Sequence, residues 1–173
     1  LHSENHSKRE KNEERILVTL ATLLQLEVVP ERIEAYDISN LGSEHITAGM
    51  VVASCGKLKK SEYRTFKIKS TEIQDDYASM TEVISRRLSH IGESESGMGV
   101  APDLILLDGG HTHVSVIRRL LEERGIDIPV FGMVKDEHHK TRTLVDAECE
   151  INIARHAELF RFIYSIQEEV HRY

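Results

Sequence analysis

Two aspartates, Asp37 and Asp108, are the residues best placed to do chemistry. Each closes a run of strand-forming residues: Asp37 follows Arg32-Ile-Glu-Ala-Tyr36, and Asp108 follows the apolar run Leu104-Ile-Leu-Leu107. Ligands of open α/β sheets bind at the carboxyl ends of strands. Two carboxylates on neighbouring strands, about 4.8 Å apart, cannot both stay charged cheaply unless a cation joins them. Magnesium suits such a pair, because it takes few carboxylates and keeps positions for water and phosphate oxygens. Two such ions about 3.5–4 Å apart can activate a water and stabilise a leaving oxygen. Either aspartate alone reads equally well as a turn former or a helix N-cap, so the pair is more informative than its members. Gly109 and Gly110 allow close approach of a substrate or ion, or simply a sharp strand-to-helix turn.

A third group comes from the end of the chain. His171 lies in Gln167-Glu-Glu-Val-His-Arg172, about 100° round a helix from the stripe of Leu159, Ile163 and Ile166. It flanks that stripe and could reach a site at the strand ends. The net charge of −7 looks wrong for a nucleic-acid binder. Its distribution matters more: Lys57, Lys59, Lys60, Arg64, Lys67 and Lys69 stand in one segment against Glu62 alone, and Lys135, His138, His139, Lys140 and Arg142 form a second basic run. Either run could equally be a solvated face. Tyr63 and Arg64 could touch a nucleic-acid backbone or form an ordinary strand face.

The elements that must position these groups follow from patterning. The chain has 173 residues, of which 40% are apolar and 29% charged, enough for one packed domain, with or without a helical arm. No stretch approaches the roughly 20 apolar residues that span a bilayer, and the polar start has no signal-peptide pattern. Cys55 and Cys149 match no metal spacing and are expected to be buried free thiols in a reducing cytoplasm. Residues 1–9 read as a frayed tail. Residues 10–28 read as an amphipathic helix through Ile16, Leu17, Leu20, Leu23 and Leu24, stopped by Pro30. That divides the chain into a tail and helix over 1–30 and a domain over 31–173. Strands are predicted over 32–38, 46–54 and 57–68, with a turn at Asn40, Gly42 and Ser43 and a tight antiparallel turn at Gly56. Asp75-Asp76 opens a helix through Met80, Val83, Ile84 and Leu88, and residues 91–100 read as a mobile Gly/Ser loop. Leu104–Leu107 is apolar throughout, as a strand buried on both faces must be. A helix to Gly125, a buried strand over 129–134, short strands over 143–145 and 150–153, and a last helix over 158–172 complete the chain. An antiparallel start and a parallel finish give an α/β fold with a mixed sheet. This is the layout of a ribonuclease-H-like five-stranded sheet, order 3-2-1-4-5, flanked by helices.

Particular motifs carry a family resemblance. Ile33-Glu-Ala-Tyr-Asp-Ile-Ser-Asn40, Lys60-Ser-Glu-Tyr-Arg-Thr-Phe66, Asp75-Asp-Tyr-Ala-Ser-Met80 with Arg86-Arg87, Pro102-Asp-Leu-Ile-Leu-Leu-Asp-Gly-Gly110, Gly132-Met-Val-Lys135 and Gln167-Glu-Glu-Val-His-Arg172 occur in one order over about residues 30–172. In these pieces the chain resembles the C-terminal endonuclease half of the UvrC family, the nuclease subunit of bacterial nucleotide excision repair. The resemblance implies a metal-dependent endonuclease cutting DNA on the 5′ side of a lesion, with Mg2+ or Mn2+ on Asp37 and Asp108 and a functionally needed His171. It also implies a third carboxylate after the fifth strand, for which Asp146 is the first choice and Glu148 and Glu150 are competitors. The candidate DNA contacts are Lys59, Lys60, Tyr63, Arg64, Arg86 and Lys135. The partners implied are damaged duplex DNA, a UvrB-type helicase and, indirectly, a UvrA-type damage-recognition subunit, all in a bacterial cytoplasm and without a membrane. The family's second nuclease domain and helix-hairpin-helix module are not matched, so the chain reads as one domain of a larger protein.

Two rivals stand beside the nuclease. One is a non-catalytic ribonuclease-H-like module that binds DNA or repair partners; it has no reason to keep two repelling acids. The other is a nucleotide-binding or phosphoryl-transfer enzyme; no Gly-rich loop follows the first strand.

Overall fold

The structure is a computed structural model, and it describes residues 2–40, 46–69, 75–138 and 141–173. The first helix, α1 (His2–Leu24), begins well before the expected residue 10. Glu, Lys and Arg dominate its early part and favour helix without needing a core. The apolar spacing then takes over, and Leu17, Leu20, Ala21 and Leu24 are buried in the same core as the sheet. Gln25, with a φ of 55°, ends the helix.

One sheet organises the rest. Its strands are β1 (Arg32–Asn40), β2 (Ile46–Ser54), β3 (Lys57–Leu58), β4 (Arg64–Lys67), β5 (Leu104–Asp108), β6 (Val130–Lys135), β7 (Thr141–Val145) and β8 (Glu150–Asn152). The spatial order is β3-β2-β1-β5-β6-β7-β8, and β4 also pairs with β2. Strands β1, β5 and β6 are parallel neighbours, while β2 runs antiparallel to β1. The mixed sheet with the order third-second-first-fourth-fifth is therefore present, but eight strands replace the expected five. Two causes account for the difference. The third predicted strand is broken by a 3-10 turn at Lys60–Glu62, where Glu62 turns in to meet Arg32 at 2.5 Å and Lys59 at 2.8 Å. The short strands near the C-terminus pair as a hairpin onto β6 and widen the sheet. The predicted turn at Gly42 and Ser43 lies outside the described residues.

Helices α2 (Asp76–Leu88) and α3 (His111–Glu123) pack together on one face. Helix α4 (Ala157–Arg172) packs on β1, β2 and β7, and against α1. The core between these layers includes the whole run Leu104–Leu107, buried as its composition demands.

Within the core lies a charged network. Glu34 and Arg87 are both fully buried, with Arg87 Nη2 at 2.7 Å and Nε at 2.9 Å from the Glu34 carboxylate. Arg32 Nε donates to Glu34 Oε2 at 2.8 Å and the Tyr36 hydroxyl to Oε1 at 2.5 Å. Burial, then the charge of Glu34, push the Tyr36 hydroxyl well above its ordinary range. Arg87 also donates to the carbonyls of Met98 and Val100. The segment expected to be a mobile loop is thus tied to the core and includes a 3-10 turn at Gly97–Gly99. The cysteines depart from expectation too: Cys55 and Cys149 are both exposed free thiols, on the tight turns after β2 and before β8. No helix among the described residues is long and apolar enough to cross a membrane.

Candidate active site

Strand register places the two aspartates. Tyr36 lies opposite Leu107 in the parallel pairing of β1 and β5, so Asp37 and Asp108 stand level, one residue further on. Both point to the face covered by α4. That helix is held down by Leu159, Ile163, Ile166, Gln167 and Val170. Its final turn crosses Gly49, the β2 partner of Asp37. A Cβ on Gly49 would sit 3.4 Å from Tyr173 Cδ1 and 3.6 Å from the Val170 carbonyl oxygen, ordinary contact distances, so the helix end lies directly over this strand. The result is His171 Nδ1 at 3.4 Å from Asp37 Oδ2. One ligand atom from each of Asp37, Asp108 and His171 lies within 4.8 Å of the others.

Electrostatics mark the same place. Burial, then the charge of Asp108 and a hydrogen bond to it, push the Asp37 carboxyl from 3.8 up to about 7, against the opposing pull of His171. Lys135 Nζ stands 3.7 Å from Asp108 Oδ2. Lys135, expected as a DNA contact, therefore sits at the acidic centre itself. A carboxylate pair that holds a proton in the absence of a cation has the donor chemistry for a hard divalent ion, and an imidazole beside it can serve as a third ligand.

Asp37, Asp108 and His171 open into a cavity of about 380 Å3, also lined by Ile38, Ser39, Asp76, Met80 and His113. Asp76 and His113 were not read as site residues from sequence. Both sit in first helical turns, on α2 after the Asp75 N-cap and on α3 directly after Asp108-Gly-Gly. For His113 the available signal was a first helical turn directly after the strand that ends in Asp108.

The structure does not bring Asp146 to this group. Val145 pairs with Gly132 on β6, whereas Asp108 is level with Met133 on the other side of β6. Asp146 therefore lies two strands across and further toward the N-terminal ends of β5 and β6. There it lines a separate cavity of about 580 Å3 with Pro102, Asp103 and Pro129. Its side chain closes the β7–β8 turn by accepting from the backbone N–H groups of Glu148 and Cys149 at 2.7 and 2.5 Å. Burial raises its pKa, but these backbone bonds outweigh it and hold the carboxylate below its ordinary range. Glu148 is exposed beside it, and Glu150 faces His111 at 3.6 Å. None of the three candidates for that one carboxylate comes into the cluster; the group that joins Asp37 and Asp108 there is His171.

The candidate DNA contacts divide. Lys60 and Arg64 are exposed on the β3–β4 edge, with Arg64 donating to the carbonyls of Ser61 and Tyr63. Lys59 is exposed but paired with Glu62. Arg86 donates to the Lys67 carbonyl at 2.6 Å and lies over the Phe66 ring at 5.5 Å. Tyr63 is not a surface residue. It is buried with its ring 5.2 Å from that of Tyr173, and burial, then the charge of Glu169, push its hydroxyl up to about 12. Its role is to seat the end of α4. Of the second basic run, His139 and Lys140 lie outside the described residues.

Known proteins give the arrangement its relatives. UvrABC system protein C of Acetivibrio thermocellus is 48% identical over 169 residues, which cover 89% of this chain and 27% of that protein. The protein of the same name from Clostridioides difficile is 47% identical over 157 residues, 91% of this chain and 25% of that protein. The chain thus spans about a quarter of the length of these curated relatives. Among solved structures, human ENDOV aligns with a TM-score of 0.44 and 12% identity, covering 82% of this chain and 80% of that one. An endonuclease V of Ciona intestinalis bound to inosine-containing DNA aligns at 0.46 and 16%, covering 77% and 58%; both likenesses are too slight to support an argument. Residues 21–173 match the family described as the UvrC RNAse H endonuclease domain, and with nearly half its residues shared with the UvrABC system C proteins the chain belongs to that family.

Proposed function

We propose that this domain hydrolyses a phosphodiester bond of DNA, using divalent metal held by Asp37, Asp108 and His171. The convergence of these three side chains within 4.8 Å carries the reading. The residues fit a hard cation: two carboxylates come together where burial and their mutual repulsion raise the Asp37 carboxyl to about 7, a cost that a bound cation relieves. When bound, the metal would polarise the phosphoryl group and lower the pKa of a coordinated water. Mg2+ and Mn2+ both accept this donor set, and the imidazole tilts the choice toward Mn2+. Asp37 and Asp108 orient and neutralise. Lys135 holds the free side of the Asp108 carboxylate. His171, on an exposed helix end, completes the donor set with an imidazole nitrogen. In hydrolysis the water oxygen bonds to phosphorus, the bond to the departing strand breaks, and that strand's oxygen takes up a proton.

Within the longer protein, this cut is the incision 5′ to a lesion in nucleotide excision repair, made alongside a UvrB-type helicase and, indirectly, a UvrA-type subunit. The exposed Lys60 and Arg64 supply part of the phosphate affinity. The test compares parent, Asp37→Ala and Asp108→Ala chains by manganese titration and incision assays on duplex DNA. The variants are expected to stay folded while losing both the metal-induced rise in melting temperature and incision. Normal incision by either variant, or a metal response that survives both, rejects the assignment and favours a non-catalytic binding module.

A further inference from the structure

His113 lines the same cavity as the two aspartates. It stands in the first turn of α3, and its half-buried ring is held by two neighbours. A Cβ at Gly109 would fall 2.5 Å from its Nδ1 and 2.6 Å from its Cγ, so the ring rests against backbone that carries no side chain. Tyr77, in the first turn of α2, packs its ring tilted against the imidazole, with centroids 4.6 Å apart and planes at 49°. Such packing fixes the orientation of an imidazole.

The polar edge of this ring is uncommitted. His171 faces Asp37 and Lys135 faces Asp108. His113 forms neither a hydrogen bond nor an ion pair with any described residue. The cavity meanwhile carries Asp37, Asp76 and Asp108. A phosphodiester entering it meets three carboxylates and needs donors that are not already spent on them.

We infer that His113 is a substrate-contacting residue of this site. Its imidazole N–H donates to a non-bridging phosphate oxygen of the strand being cut, and Tyr77 and Gly109 are positioning residues that aim the ring. The inference rests on the nuclease reading proposed above. An aromatic wedge that only packs would look the same in outline, and His113→Phe separates the two: it keeps the ring against Gly109 and Tyr77 and removes both nitrogens.

The experiment uses the 173-residue chain, a fluorescein-labelled duplex oligonucleotide read by anisotropy, and cleavage kinetics with Mn2+. His113→Phe is expected to weaken duplex binding about tenfold and to lower kcat/KM by about 10–100-fold, the range for a lost hydrogen bond to a charged group. Its melting temperature and Mn2+ affinity should match the parent. Tyr77→Ala should reproduce part of the loss, and Tyr77→Phe, which preserves the ring contact, should restore parental kinetics. Parental affinity and kinetics in His113→Phe overturn the contact, as does a loss that merely follows weakened Mn2+ binding, and as does a parent chain that does not bind the duplex. Asp108→Asn runs alongside: it should end cleavage yet retain duplex binding. If Asp108→Asn cleaves like the parent, the nuclease reading fails, whatever the binding data say of His113.

Discussion

His171 Nδ1 lies 3.4 Å from Asp37 Oδ2, joining the last helix of the chain to the first strand of the sheet at one carboxylate. The contact is made at the rim, since the His171 side chain is 65% exposed while that of Asp37 is 13% exposed. Its worth therefore lies in chemistry more than in stability.

Replacing His171 by Gln should leave thermal melting nearly unchanged, because substitutions at exposed positions cost about 0.5 kcal/mol or less. Incision should nonetheless fall by about 10–100-fold, the range for disturbing the ligand shell of a metal site. Incision rates and melting curves on the same preparation decide the point. A rate loss that only tracks unfolding would return His171 to a packing role.

The raised pKa of Asp37 gives a sign for pH. Its carboxyl moves from 3.8 to about 7 on folding, so between those values the folded chain holds a proton that the unfolded chain has released. The stabilising contribution is complete below the unfolded value and is lost as pH rises through about 7. In chelator, the parent should lose stability relative to Asp37→Asn as pH climbs from 5 to 8 (about the span of the shift). Added Mn2+ should offset that loss by displacing the proton. Parallel melting profiles for parent and variant would count against the coupled site.

Arg87→Met tests the buried network. It removes the partner that meets Glu34 at 2.7 Å and releases the carbonyls of Met98 and Val100. Breaking one side of a buried pair costs about 3–5 kcal/mol, and Arg32 at 2.8 Å softens the loss here. Urea unfolding should show a large drop, and proteinase K should cut within residues 91–100 sooner. Unchanged proteolysis would mean the segment is held by other contacts.

Two glycines near the site should differ in tolerance. A Cβ on Gly132 would lie 2.3 Å from the Gly109 carbonyl oxygen, whereas one on Gly109 meets the His113 side chain. Backbone cannot yield as a side chain can, so Gly132→Ala should cost more than Gly109→Ala within the range of about 1–3 kcal/mol for overpacking. Adding His113→Ala should recover much of the Gly109→Ala loss and none of the Gly132→Ala loss. Equal costs, or recovery in both backgrounds, would contradict the packing described.

The sequence by itself determined the parts whose cause is local. The apolar run Leu104–Leu107 requires a strand covered on both faces. The spacing of Leu159, Ile163 and Ile166 requires a helix with one buried stripe, and the antiparallel opening followed by parallel strands brings Asp37 and Asp108 to one sheet end. Tertiary structure alone decided what completes that end. Asp146 follows a short strand and His171 lies in the last turn of a patterned helix, and nothing in either local pattern says where along the sheet its residue will stand. For Asp146 the outcome depends on the register of β7 against β6, which carries it away from Asp108. For His171 it depends on Tyr63, which is buried against Tyr173 and seats the end of α4 beside Asp37. Hydrophobic periodicity fixes which face an element buries, but its position along that face is set by side chains from distant parts of the chain.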